Sequence, residues 1–179
     1  MLGHINSAVN RVWLVNPYFY PSGSIKRALQ RAAKKGVDVR LVLPSDNTDH
    51  ALLRYAGQYF YRSLLKSGVK IYEYQRTFVH AKALLCDAWA SVGSYNLDQW
   101  SIRWNKEANI ETNDPDFIQR LQAMLSACQK QSKEYDYQGW KKRSKIAVIR
   151  EYLAWAAGRL FLMLDAPRET KNYLDKDES

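Results

Sequence analysis

Cysteine, proline, glycine and acidic side chains are all in short supply in this sequence. Its 179 residues include two cysteines, five prolines and eight glycines. Cys86 sits inside an apolar run and Cys128 in a helical pattern, so they make neither a disulfide framework nor a metal-ligand spacing, and both read as buried thiols. Long apolar runs are missing too. No early segment approaches the roughly 18 residues of a membrane span, and no charged leader precedes a signal-type core, which predicts a soluble intracellular domain. There is no internal repeat and no low-complexity segment. Asp and Glu total 18 against 27 Lys and Arg, a formal net charge of +9 with a pI near 9.5. That excess favours anionic partners, whether nucleic acid, an acidic lipid surface or a phosphorylated substrate, without choosing among them. The length suits one ordinary domain with some tail, enough to bury a real core.

What is present alternates between strand and helix signals. VWLVN (12–16) reads as a buried strand, and NPYFYPSG after it as a loop broken by proline and glycine. Ser24 is placed to cap a basic helix that Gly36 ends. DVRLVLP is the next strand, DHALLRYAGQYFYRSLLKSG a helix stopped by Gly68, and VKIYEY a strand. VHAKALLCD and WASVGS then suggest a hairpin, NKEANIE a further strand, and Asp114 with Pro115 the start of a helix running to about residue 131. Such an order predicts an α/β domain, a mixed β-sheet flanked by helices.

Within FVHAKALLCD the strand period puts Val79, Ala81, Ala83 and Leu85 on one face and His80 and Lys82 together on the other. Ser94 and Asn96 follow Gly93, where a missing side chain admits a ligand or another backbone. Asn105, Glu107 and Asn109 share a face of the next strand. His80, Lys82, Ser94, Asn96 and Glu107 can therefore converge at one sheet edge. These groups suit a phosphodiester. Lys neutralises non-bridging oxygens, Ser and Asn hydrogen-bond to them, and an imidazole can attack phosphorus if a carboxylate, here Glu107, fixes its tautomer. Nothing in the set resembles a cage for a divalent ion, so the chemistry is expected to need no metal and no cofactor.

HAKALLCD followed by GSYN resembles the His-x-Lys, Asp, Gly-Ser-x-Asn signature of the phospholipase D superfamily. WNKE and YNLDQWS are similar to segments that follow it in bacterial cardiolipin synthases, and NPYFYP and VRLVLPSDNTD resemble the second catalytic half of that family. The likeness covers roughly residues 5–125, with a shorter gap between Asp87 and Gly93 than the family pattern, which bears on the hairpin turn near Ala88 and Trp89. It implies a phospholipase D-like half-domain, here 1–132, in which His80 is either the nucleophile that forms a phosphohistidine or the general acid. Lys82, Ser94 and Asn96 would hold the phosphate, Glu107 would orient His80, and Asp87, with Gly93 a structural part of the motif, would accept backbone N–H groups near the hairpin. Catalysis in the superfamily takes two such motifs, and this chain has one, since neither His4 nor His50 is followed two residues on by Lys. Either two copies pair about a two-fold axis, or the chain is the C-terminal half of a longer enzyme. The second is favoured because the chain begins almost on the first strand.

Residues 133–179 form a separate tail. KIAVIREYLAWAAGRLFLML places Ile146, Ile149, Tyr152, Leu153, Ala156, Leu160 and Leu164 on one helical stripe, just after Lys141, Lys142, Arg143 and Lys145. A basic amphipathic helix of this kind binds a membrane surface, or packs on a partner or on its own core. DKDES reads as a frayed acidic end, and Tyr18, Phe19 and Tyr20 line a lipid entrance or are buried. The resemblance favours a phosphatidyltransferase of the cardiolipin synthase type, acting on anionic phospholipid at the inner face of a bacterial cell membrane. The alternative is a metal-independent endonuclease acting as a homodimer on nucleic acid.

Overall fold

The computed structural model describes residues 1–96 and 106–164. Among these residues seven strands form one mixed sheet: β1 (Arg11–Val15), β2 (Asp38–Pro44), β3 (Lys70–Tyr74), β4 (Ala83–Cys86), β5 (Trp89–Gly93), β6 (Asn109–Thr112) and β7 (Ser132–Tyr135), in the order β6-β5-β4-β1-β2-β3-β7. β1, β2 and β3 run parallel, with Leu14 beside Leu41 and Leu41 beside Ile71. The remaining pairings are antiparallel. The helices are α1 (Leu2–Ser7), α2 (Gly23–Lys34), α3 (Ala51–Leu65), α4 (Pro115–Lys130), α5 (Tyr137–Lys141) and α6 (Lys145–Leu164).

Strand alternation sends successive side chains into two cores. Val12, Leu14, Leu41, Ile71 and Leu84 meet Leu29, Phe60 and Leu64 of α2 and α3 on one face. Trp13, Val15, Ala83 and Leu85 meet Ile118, Leu121 and Leu125 of α4 on the other. The three- and four-residue spacing of those α4 positions makes one buried stripe. Asp114 caps that helix, its carboxylate accepting the N–H of Phe117 at 2.7 Å, and Pro115 follows where no N–H is needed; such a cap contributes about 1 kcal/mol.

Several boundaries differ from the sequence reading. The α2 cap is Ser22, whose Oγ accepts the N–H of Ile25 at 3.3 Å; Ser24 instead hydrogen-bonds to Ser22. Regular strand begins at Ala83, so Val79 to Lys82 are an irregular approach to it, and Ala81 is exposed where Val79 is buried. Cys128 is only half-buried, whereas Cys86 is in the core, and burial raises both thiols, Cys86 to about 12. The expected break at residue 132 falls at the first residue of β7, which pairs with β3 and extends the sheet into the supposed tail.

α6 packs on α3 through a face other than the predicted stripe. Glu151, Ala154 and Leu162 are buried, Trp155 stacks on Tyr59 at 4.4 Å, and the Arg150 guanidinium lies 3.8 Å from the Tyr55 ring centre. Of the predicted stripe, Ile146, Ile149, Tyr152, Leu153 and Leu160 are exposed and Ala156 is half-buried. The reason is that Glu151 goes inward with Arg143, its hydrogen-bonded partner, and small and aromatic side chains do the packing.

Candidate active site

The carboxyl ends of the parallel strands β1, β2 and β3 open onto one edge of the sheet, the usual position of a site in an open α/β sheet. Three loops leave there, carrying Tyr18, Asp49 with His50, and His80 with Lys82. Antiparallel pairing carries β5 to the same edge, because the N–H of Gly93 donates to the carbonyl of Lys82 at 3.2 Å and so extends the ladder past the end of β4. Ser94 thereby stands beside the His80–Lys82 segment.

Gly93 is required by geometry. A Cβ there would lie 2.2 Å from both the Ala108 carbonyl oxygen and Asn109 Oδ1. The close approach is therefore by another backbone, the segment entering β6. Ser94 holds that segment: its N–H donates to the Ala108 carbonyl at 3.0 Å and its Oγ accepts the Ala108 N–H at 3.0 Å. Glu107, half-buried, is the residue just before, and lies in irregular chain rather than in the strand expected for it.

His80 is exposed. The Lys82 ammonium lies 3.2 Å from both Nδ1 and Nε2 and donates to the His80 carbonyl at 3.1 Å. Equal distances to the two nitrogens place the cation across the ring, off the axis of either lone pair. Phe78 and Tyr18 flank the imidazole at 5.4 and 6.1 Å between ring centres, Tyr18 edge-on. The Tyr18 hydroxyl donates to Asp49 at 2.6 Å. Burial acts to raise the Asp49 pKa, but the Tyr18 hydrogen bond and the charges of His50 and His80 outweigh it, so the carboxyl is held below its ordinary value. His80, Lys82 and Ser94 line one groove of about 700 Å³. Asn96 is buried just beyond Ser94. Asn105, the YNLDQWS stretch past Asn96 and the acidic DKDES end lie outside the described residues.

Asp87 takes a different part. Its carboxylate accepts the backbone N–H groups of Val9, Asn10 and Arg11 at 2.8, 2.9 and 2.8 Å. Those donors belong to the start of β1, not to the hairpin, and the turn itself is two residues long, Asp87 and Ala88 joining the Cys86–Trp89 pair. Asp87 has φ 48°, a left-handed conformation that Asp tolerates better than most side chains. Burial works against its charge, and the three N–H donors more than offset this, lowering its pKa.

The alternatives offered for Tyr18, Phe19 and Tyr20, an entrance or the core, divide between them: Phe19 and Tyr20 are core, Tyr18 faces the site. Asp49 closes the VRLVLPSDNTD stretch that carried the family likeness, but nothing in the sequence paired it or His50 with Tyr18. His4 stacks flat on Trp89 at 3.8 Å, on α1. Among the described residues, no three His, Cys, Asp or Glu side chains gather as a metal-holding group.

The family model "Cardiolipin synthase, PLD-like domain" matches residues 1–129. This chain belongs to that family. It is 38% identical over 151 residues to a probable cardiolipin synthase of Bacillus subtilis strain 168, covering 84% of this chain and 30% of the relative. It is 41% identical over 132 residues to cardiolipin synthase A of Pseudomonas aeruginosa strain LESB58, covering 73% and 27%. The chain thus spans less than a third of the length of these relatives. Among solved structures, a phospholipase D family member of Salmonella typhimurium shares the fold with a TM-score of 0.62 at 21% identity, covering 75% of this chain and 88% of that one. The phosphatidylserine synthase of Haemophilus influenzae Rd KW20 gives 0.70 at 11% identity, covering 90% and 43%. The phospholipase D-like half-domain expected from the motif is the fold observed. No helix among the described residues is long and apolar enough to cross a membrane.

Proposed function

We propose that this chain supplies one catalytic half of a phosphatidyltransferase of the cardiolipin synthase type. The observation that carries the reading is the groove in which His80, Lys82 and Ser94 meet, within a domain of that family. Lys82 and Ser94, with Asn96, bind the non-bridging oxygens of a phosphodiester, and Glu107 orients His80. A second motif, from another copy or from further sequence of a longer chain, completes the site. One imidazole nitrogen forms a P–N bond as the P–O bond to the donor's headgroup alcohol breaks, and the other imidazolium gives the departing alkoxide its proton. An acceptor hydroxyl then loses its proton to that second imidazole and displaces the histidine from phosphorus. His80 fills one of the two roles.

The exposed face of α6 supports a lipid surface as the place of action. Ile146 and Leu153 are 80% and 59% exposed, with Lys145 at the start of the helix and Lys141 and Lys142 just before it. Such a face gains from insertion among headgroups, and each neighbouring cation adds roughly 1 kcal/mol near an anionic leaflet. We place the protein peripherally at the inner face of the cell membrane. The test is turnover of labelled anionic phospholipid in vesicles, with transfer of label to His80 or its partner histidine. If two copies make the site, mixing His80→Asn with wild type lowers activity more than dilution does. Cleavage of DNA without turnover of vesicles, and indifference to deletion of residues 141–179, would establish the endonuclease reading instead.

A further inference from the structure

His80, Lys82 and Ser94 make up only part of the lining of their groove. The rest of the lining includes Val92 of β5 and, from α4, Phe117, Arg120, Leu121 and Met124. The volume of about 700 Å³ is that of a site for a small organic ligand, and far more than a phosphate requires. Leu121 is buried, whereas Phe117 and Met124 each keep 39% of their surface exposed. Two large apolar side chains standing open beside a set of phosphate-binding groups have no packing reason for that position. Arg120 is exposed and has no ion-pair partner among the described residues.

We propose that this groove seats the glycerol and the proximal part of an acyl chain of the phospholipid whose phosphate reaches His80, with Arg120 meeting the anionic headgroup region. The assignment rests on the phosphatidyl reading above. A ligand held by its phosphate at Lys82 and Ser94 continues directly onto the apolar wall. Such a wall offers nothing to a sugar-phosphate backbone, but each methylene buried there strengthens binding by up to about fourfold.

The experiment measures binding of the purified chain to monomeric phosphatidylglycerols of increasing chain length, from acetyl through butanoyl and hexanoyl to octanoyl, each affinity divided by that for glycerol 3-phosphate. In the wild type the ratio should climb about two- to fourfold per methylene before levelling off. Met124→Glu and Phe117→Ser, at exposed helix positions, should flatten the climb. Arg120→Gln should weaken phosphatidylglycerol more than zwitterionic phosphatidylcholine of the same length. Equal slopes in wild type and both variants, or no dependence on chain length at all, would overturn the groove assignment. So would variants that turn a sedimenting dimer into a monomer with the slope intact, since the groove would then be an interface between copies. Failure of the underlying reading looks different: His80-dependent cleavage of DNA with no His80-dependent turnover of vesicles.

Discussion

Two polar clusters sit on either side of the end of β3, and they are built to opposite rules. Glu73, on β3 itself, is 1% exposed, yet its carboxylate accepts from Arg54 at 2.8 Å, Gln58 at 2.9 Å, Tyr61 at 3.2 Å and Tyr135 at 3.0 Å. Burial, with the charge of Glu73 next, pushes the Tyr61 and Tyr135 phenols above their ordinary values, which keeps both as donors. His80, a few residues on, is exposed and, among the described residues, has only the Lys82 ammonium on its ring nitrogens. A buried charge whose bonding capacity is filled by its own fold is structural. A nucleophilic or acidic side chain held in place by aromatic neighbours but open on its reactive side is ready for something outside the chain.

The largest expected effect breaks the open cluster alone. In a preparation that turns over anionic phospholipid, His80→Asn should lower the rate by at least about a thousandfold, roughly 4 kcal/mol in the barrier. Its melting temperature should stay within about 2 °C, because an exposed ring carries little packing energy. A folded His80→Asn protein with more than a tenth of wild-type activity would remove His80 from the chemistry.

Glu73→Ala should do the reverse. It leaves the Arg54 guanidinium, whose side chain is only 9% exposed, with Asp46 as its remaining carboxylate among the described residues, and strips the buried Tyr61 phenol, the half-buried Tyr135 phenol and the Gln58 amide of an acceptor. Removing one partner of a buried pair costs about 3–5 kcal/mol. Urea denaturation should show that loss, while the turnover of the molecules that remain folded is unchanged. An equally stable Glu73→Ala would mean that the cluster contributes nothing net.

Asp87 lies between the two extremes, a motif residue that works by folding. Asn at this position keeps the left-handed backbone and one acceptor oxygen but loses the charge, so Asp87→Asn should cost on the order of 1–2 kcal/mol at neutral pH. The folded-state pKa is depressed, so the stabilisation is fully present above the unfolded carboxylate value of about 3.9 and is lost as pH falls through the lower folded value. The stability gap between wild type and Asp87→Asn should therefore be flat from neutral pH down to about pH 5 and close below about pH 4. A gap that widened in acid would refute the account.

These contrasts also explain what was readable from sequence. The motif residues, the strands β1 to β5 and the capped helix α4 carry local signals: apolar alternation, glycine stops, an Asp-Pro start. β7 carries none, because its four residues, SKEY, pair with β3 on one side only and need no apolar alternation. The α6 stripe was legible as a pattern but not in direction. Amphipathicity says that two faces differ, and only the contact with α3 shows that Glu151, Ala154 and Leu162 go inward. Tyr18 and Asp49 meet across 31 positions of sequence, from loops that only the parallel order of β1 and β2 brings together.

The smallest effect sharpens the comparison most, because the same substitution can be made in both clusters. Tyr135→Phe removes one donor from the buried Glu73 carboxylate and should cost about 1 kcal/mol of stability without altering any group at the site. Tyr18→Phe removes the Tyr18 phenolic donor from Asp49, whose side chain is 48% exposed, so water replaces it and stability should change by no more than a few tenths of a kcal/mol. Its effect should appear in titration instead. The Tyr18 hydrogen bond is the largest influence holding the Asp49 pKa down, so its loss should move the Asp49 carboxyl resonance midpoint upward, toward the ordinary aspartate value. Carbon-detected NMR across the acid range reads that midpoint directly. If Asp49 titrates identically in wild type and Tyr18→Phe, the tyrosine positions nothing at the open cluster, and the contrast between the two tyrosines reduces to burial alone.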